Sequence, residues 1–170
     1  MFRLSPLTAV VLIAAVIASG SWVARTHAQM VTPTADGAAR LILVEHADLV
    51  TEIDLGEPGP SPGDMLVWGP NALFDDGNVD DTGATTQGTC IAFKTAGDCI
   101  ASETIVFADG STLEFQGVER AGGLPSARTI VGGSGRYLGA IGTMAASPSE
   151  DLTLWTKTID IDIAAPLNLP

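Results

Sequence analysis

The chain reads as an all-β protein, a closed eight-stranded antiparallel β-barrel behind an N-terminal signal segment. Past residue 38, no window sustains apolar residues at i, i+3, i+4 and i+7. Short β-branched or aromatic runs bounded by turn residues recur instead, and they total eight. The last of them, Ile159-Asp160-Ile161-Asp162-Ile163, alternates strictly, so one face is apolar and the other wet. Eight antiparallel strands in a chain with 19 glycines can roll shut. Closure removes exposed edges and leaves an interior able to hold one small ligand.

The elements follow in order. Arg3 and the apolar run Leu7 to Ala18, with small residues at Thr26-His27-Ala28, make 1–28 a secretory signal peptide. The charge-free stretch from Leu7 to Val23 leaves an uncleaved membrane anchor as the alternative. Residues 29–38, with Pro33 and Gly37, form a flexible leader, and 39–170 are the barrel domain. Leu41 to Asp54 is a long first strand. Met65 to Trp68 and Ala72 to Phe74 are a second, interrupted at Gly69-Pro70, where proline offers no donor to a ladder. Gln87 to Phe93 and Ile100 to Phe107 form a hairpin. Asp109-Gly110 turns into Thr112 to Gln116. Ala127 to Val131, Ala140 to Ala146 and Leu152 to Ile163 complete the set.

Composition excludes several functions. Without residues 1–28, six basic residues face 20 acidic ones, a net charge of −14 against −12 for the whole chain. That charge repels phosphate backbones and anionic lipid, so neither nucleic acid nor a membrane surface is an expected partner. His46 is the only histidine after the signal segment, and it sits mid-strand. A Ser-His-Asp triad is therefore not expected, nor is a zinc site, which needs three or four N/S ligands. The acidic run Asp75 to Asp81 lacks the alternating spacing of a calcium loop and reads as a solvated turn, so no metal is expected. In an exported protein, Cys90 and Cys99 pair across their hairpin; the alternative is two reduced thiols.

Gly132-Gly133-Ser134-Gly135, then Tyr137, Gly139-Ala140 and Gly142, mark a tight β-corner; no Lys in Walker spacing and no helix period follow. This segment resembles the corner of allene oxide cyclases and dirigent proteins. Other pieces arrive in the same order: Glu52-Ile53-Asp54-Leu55-Gly56, Gly63-Asp64, Asn71-Ala72-Leu73-Phe74-Asp75, Gly88-Thr89-Cys90 and Gln116-Gly117. The resemblance spans about residues 49 to 146. It implies a cofactor-free barrel that binds a small hydrophobic ligand and steers its cyclisation or isomerisation, and a homo-oligomer, trimeric in the plant proteins. The alternatives are a non-enzymatic extracytoplasmic carrier and a structural interaction domain.

The resemblance also implies site residues. Asn71 and Cys90 match cyclase positions, and Pro58 keeps the proline of a Ser-Pro that helps hold water against an epoxide. Leu49 stands where the cyclases have the glutamate that stabilises a developing cation, and Thr51 where they have an asparagine. An apolar Leu49 cannot supply that electrostatic stabilisation. Dirigent proteins carry an arginine further along than Arg136, near the position of Ile141. Alternation places Leu49 and Thr51 on one face with Leu43, Glu45, Ala47 and Ile53. If that face points inward, Glu45 is the one strand-1 carboxylate inside and a candidate acid or base; otherwise it lies at the mouth in water. Asn71, Pro58 and Glu45 are thus the catalytic candidates. Leu49, Thr51, Trp68, Phe74 and Cys90 are the ligand-binding ones, around a largely apolar lumen.

Overall fold

A computed structural model describes residues 32–33, 38–56, 58–93 and 97–163. The expected signal segment and most of the leader lie outside the described residues. The strands are β1 (Thr32–Pro33), β2 (Ala38–His46), β3 (Val50–Ile53), β4 (Met65–Phe74) and β5 (Asp81–Ala92). They continue with β6 (Cys99–Val106), β7 (Thr112–Glu119), β8 (Ser126–Ser134), β9 (Ala140–Pro148) and β10 (Leu154–Ile163). All pairings are antiparallel. The sheet runs β2-β10-β9-β8-β7-β6-β5-β4, and β2 pairs again with β4 at Val44 and Glu45. That last ladder closes an eight-stranded barrel. The two-residue β1 adds to β2 from outside the ring, and β3 continues β2 along β4.

The long first strand is therefore two pieces. Glu45 lies opposite Leu73, which is fully buried, so Glu45 faces inward. Val50 and Glu52 lie opposite Trp68 and Leu66, which line the interior further along. Unbroken alternation from Glu45 would have pointed Leu49 and Thr51 inward; a one-residue slip over 47–49 points Val50 and Glu52 there instead. β4 slips at the same level, with a register shift between Trp68 and Asn71. The expected interruption at Gly69-Pro70 is thus a bulge within a continuous strand. Gly69 adopts φ +86°, and a Cβ there would meet the Thr86 carbonyl oxygen at 2.2 Å, so no other residue fits. Its N–H donates to the Leu49 carbonyl at 2.8 Å, tying the two irregularities together.

One end of the barrel is plugged. Leu41, Leu43, Ile105, Leu113, Phe115 and Ile159 belong to a single buried cluster that also takes in Tyr137 from the short 3₁₀ turn Gly135–Tyr137. Each such side chain, fully buried, stabilises by about 1.5–3 kcal/mol. The alternation of β10 serves this plug: Ile159 and Ile161 are buried, while Asp160 lies outside, paired with Arg40 at 2.6 Å. Gly132 to Gly142 form the corner between β8 and β9, with Arg136 covering the Phe107 and Tyr137 rings from outside. The acidic run after β4 is a turn held by Asp75, whose carboxylate accepts from the Val79 and Asp80 N–H groups. At the opposite end, Cys90 and Cys99 form a disulfide across the β5–β6 hairpin.

Candidate functional site

Above the plug the barrel changes character. Four strands place an ionisable residue inward where their neighbours place an aliphatic one. Glu45 follows Leu43 on β2, and Glu103 lies between Ala101 and Ile105 on β6. Arg128 lies between Ser126 and Ile130 on β8, and Lys157 precedes Ile159 on β10. All four are at most 4% exposed. The ammonium of Lys157 bridges Glu45 at 2.8 Å and Glu103 at 2.5 Å. Arg128 bridges Glu103 and Glu119, the latter from the end of β7. Thr86 donates to Glu103 at 2.6 Å, and Asn71 donates to Glu45 at 2.7 Å. These groups form a belt across the lumen.

Burial drives the titration of the belt. It holds the Lys157 ammonium below its ordinary pKa, although Glu45 opposes the shift. It brings the Arg128 guanidinium down to about 10, again against Glu45. It raises the Glu119 carboxyl, with Lys157 opposing and Glu45 adding to the rise. Removing ions from water costs several kcal/mol each, and the pairings offset that cost only while every partner is present.

Beyond the belt the barrel is open. An inner chamber of about 170 Å³ has Glu45, Arg128 and Lys157 at its floor and Val50, Leu66, Trp68 and Trp155 on its walls. It shares Leu66, Glu119 and Trp155 with an outer cavity of about 400 Å³. Cys90 and Cys99 line that outer cavity, and the segment Gly59-Pro60-Ser61 lies on its rim. Asp64 holds the rim by accepting from the Leu55 and Ser61 N–H groups, and these bonds lower its pKa. Trp68 is 8% exposed, and its Nε1 finds no acceptor among the described residues. Its ring lies 5.7 Å from the Arg128 guanidinium and fills the space over Gly88, where a Cβ would fall 2.4 Å from Cζ2. The glycine of Gly88-Thr89-Cys90 is therefore the seat of the indole.

The sequence-derived candidates separate on this geometry. Trp68 and Cys90 line the cavities, Cys90 as half of a disulfide. Glu45 is in the belt rather than at the mouth in water. Asn71 is buried beneath the chamber. Its Oδ1 accepts from Leu49 N–H at 2.9 Å while its amide holds Glu45, so it positions the bulge and the belt together. Leu49 is 54% exposed and Thr51 is also exposed; the slip at 47–49 turns both away from the chamber. Phe74 lies towards the plugged end, stacked on His46 at 4.1 Å, because its partner Val44 faces away from Glu45 and Leu73. Pro58 is exposed and lines neither cavity; the rim is built from the residues after it. The lumen is apolar in the plug and on the chamber walls, as expected, and charged at the belt between them.

Arg128, Lys157, Glu103, Glu119 and Thr86 were not anticipated. For Glu103, Arg128 and Lys157 the signal was present in the sequence: a charged residue two positions from an aliphatic one, on several strands, with signs that can balance.

The model of the allene oxide cyclase barrel-like domain matches residues 44–160. The chain belongs to this family. Among curated proteins, none matches the sequence. Similar solved structures include a pyocyanin demethylase, at 21% identity and TM-score 0.61, with 72% of this chain and 98% of that one covered. A pterocarpan synthase dirigent protein matches at 17% identity and TM-score 0.59, over 80% and 97%. The Diels–Alderase AbmU from Streptomyces koyangensis matches at 22% identity and TM-score 0.59, over 77% and 72%. At these identities the likeness is one of fold. The family match begins at Val44, and the belt it encloses is built from this chain's own residues.

Proposed function

We propose that this member of the allene oxide cyclase barrel-like family is exported, takes a small, largely apolar molecule into its open end, and steers that molecule's cyclisation or isomerisation without a cofactor. The observation that carries the proposal is the half-plugged barrel. An aromatic-walled chamber ends on a rigid charged floor and opens into a larger vestibule. Holding a flexible substrate in its reactive conformer can supply several of the roughly 7–11 kcal/mol available from orientation. Trp155 and Leu66 provide shape. Trp68 Nε1 is a buried donor whose missing acceptor a ligand oxygen or nitrogen would supply. Asn71 acts at one remove, by fixing the Glu45 side of the floor.

The test is stereochemical. An unstable allene epoxide mixed with the purified protein should cyclise with enantiomeric excess. Racemic product at the spontaneous rate overturns the cyclisation arm. A second reading, a carrier without turnover, is favoured by the mutual pairing of Lys157, Arg128, Glu45 and Glu103, which leaves few groups for proton transfer. Native mass spectrometry that finds a retained small molecule, with no conversion of it, would establish that reading.

A further inference from the structure

The belt does not balance. Glu45, Glu103 and Glu119 contribute three carboxylates against the two cations Arg128 and Lys157. Both cations are paired within the belt: Lys157 with Glu45 and Glu103, and Arg128 with Glu103 and Glu119. Glu52 adds a further carboxylate at the chamber wall. The outer cavity continues the trend, with Asp54 and Asp64 against Arg120. A molecule entering the barrel thus meets excess negative charge from rim to floor, in a space where low dielectric strengthens each interaction.

We propose that the occupant of the chamber is cationic, an apolar skeleton bearing a protonated or quaternary amine seated between Glu119 and Glu52, and that carboxylate-bearing molecules are rejected. The proposal rests on the reading of the open end as a ligand site. Two observations support it. Glu119 and Glu52 line the same inner chamber as Trp155, so a cationic head reaching them has an aromatic wall beside it. Burial raises the Glu119 pKa, and a cation seated beside that carboxylate would offset the cost of its burial. The charged groups around that carboxyl are Arg128 on β8, Lys157 on β10, Glu45 on β2, Glu103 on β6 and Glu52 on β3. A carboxylate ligand would have to compete with the belt's own three carboxylates for its two cations.

The experiment compares three probes that share one skeleton: 2-naphthylmethylamine, 2-naphthylmethanol and 2-naphthoate. Binding to the purified protein is read by calorimetry at neutral pH and low salt. The amine should bind about tenfold or more tighter than the alcohol, with the carboxylate weakest. Glu119→Gln should lower the affinity of the amine severalfold more than that of the alcohol. Glu52→Gln, at an exposed position that does not threaten folding, should lower amine affinity by a smaller factor. Equal affinity for amine and alcohol, or naphthoate binding as tightly as the amine, overturns the cationic assignment and leaves the ligand site standing. Binding of none of the three overturns the ligand site and the assignment together.

Discussion

The two ends of this barrel are built from the same eight strands and on opposite principles. The plugged end fills its lumen with aliphatic and aromatic side chains, so packing there is self-sufficient. The open end stops the plug with five ionisable residues whose stability is conditional, because each ion is tolerable only while its partner is present. An open chamber inside a small barrel needs a floor that does not collapse inward. Charges fixed from five strands and pinned by Asn71 and Thr86 provide one, and additional aliphatics would simply extend the plug.

The sharpest way to break this contrast is Lys157→Met, which leaves Glu45 and Glu103 buried without their shared cation. Urea unfolding should show a loss of about 3–5 kcal/mol. Adding Glu45→Gln and Glu103→Gln should recover part of it, because the stranded charges are then gone. In the plug, Leu113→Ala should cost about 2–5 kcal/mol, through lost burial and a residual cavity. No change of polarity in the belt should rescue it, and a rescue would show that the two ends are not separate. The disulfide comes next. Replacing Cys90 and Cys99 with serine should lower stability by less than the roughly 3 kcal/mol of a 15-residue loop, since the closed loop here is shorter. The loss should appear as a shifted urea midpoint.

The smallest effect is at the rim. The Asp64 carboxyl is held below its ordinary pKa of 3.8 by the Leu55 and Ser61 N–H groups. A depressed folded-state pKa contributes stability above 3.8 and loses it as pH falls through the lower folded value. The Leu55 and Ser61 amide resonances should therefore move only below about pH 3.8 in the native protein. In Asp64→Asn they should already be displaced at neutral pH.

Much of the fold was legible. Turn residues and alternation predicted the eight strands, and the expected export together with the hairpin spacing predicted the cysteine pair. β5 starts earlier than expected, at Asp81, because Thr82 to Thr86 carries no large apolar residue to signal a strand; Thr86 is nevertheless buried, satisfied by Glu103. The site was less legible. Leu49 and Thr51 were candidates because they match cyclase positions, on a strand face whose direction alternation alone could not fix, and a single slipped residue turns both away from the chamber. Arg128 and Lys157 read as ordinary strand polar residues until their strands are placed around one lumen.

What the sequence determined by itself is local: strand periods, turn chemistry, a net negative charge and two cysteines close enough to bond. Only the tertiary structure decided which face of each strand points inward past Gly69-Pro70, and that acids on β2 and β6 meet bases on β8 and β10. The physical reason is range. Backbone and turn preferences act over a few residues, whereas a bulge changes facing for everything beyond it. The energy of a buried charge, moreover, depends on partners more than fifty positions away.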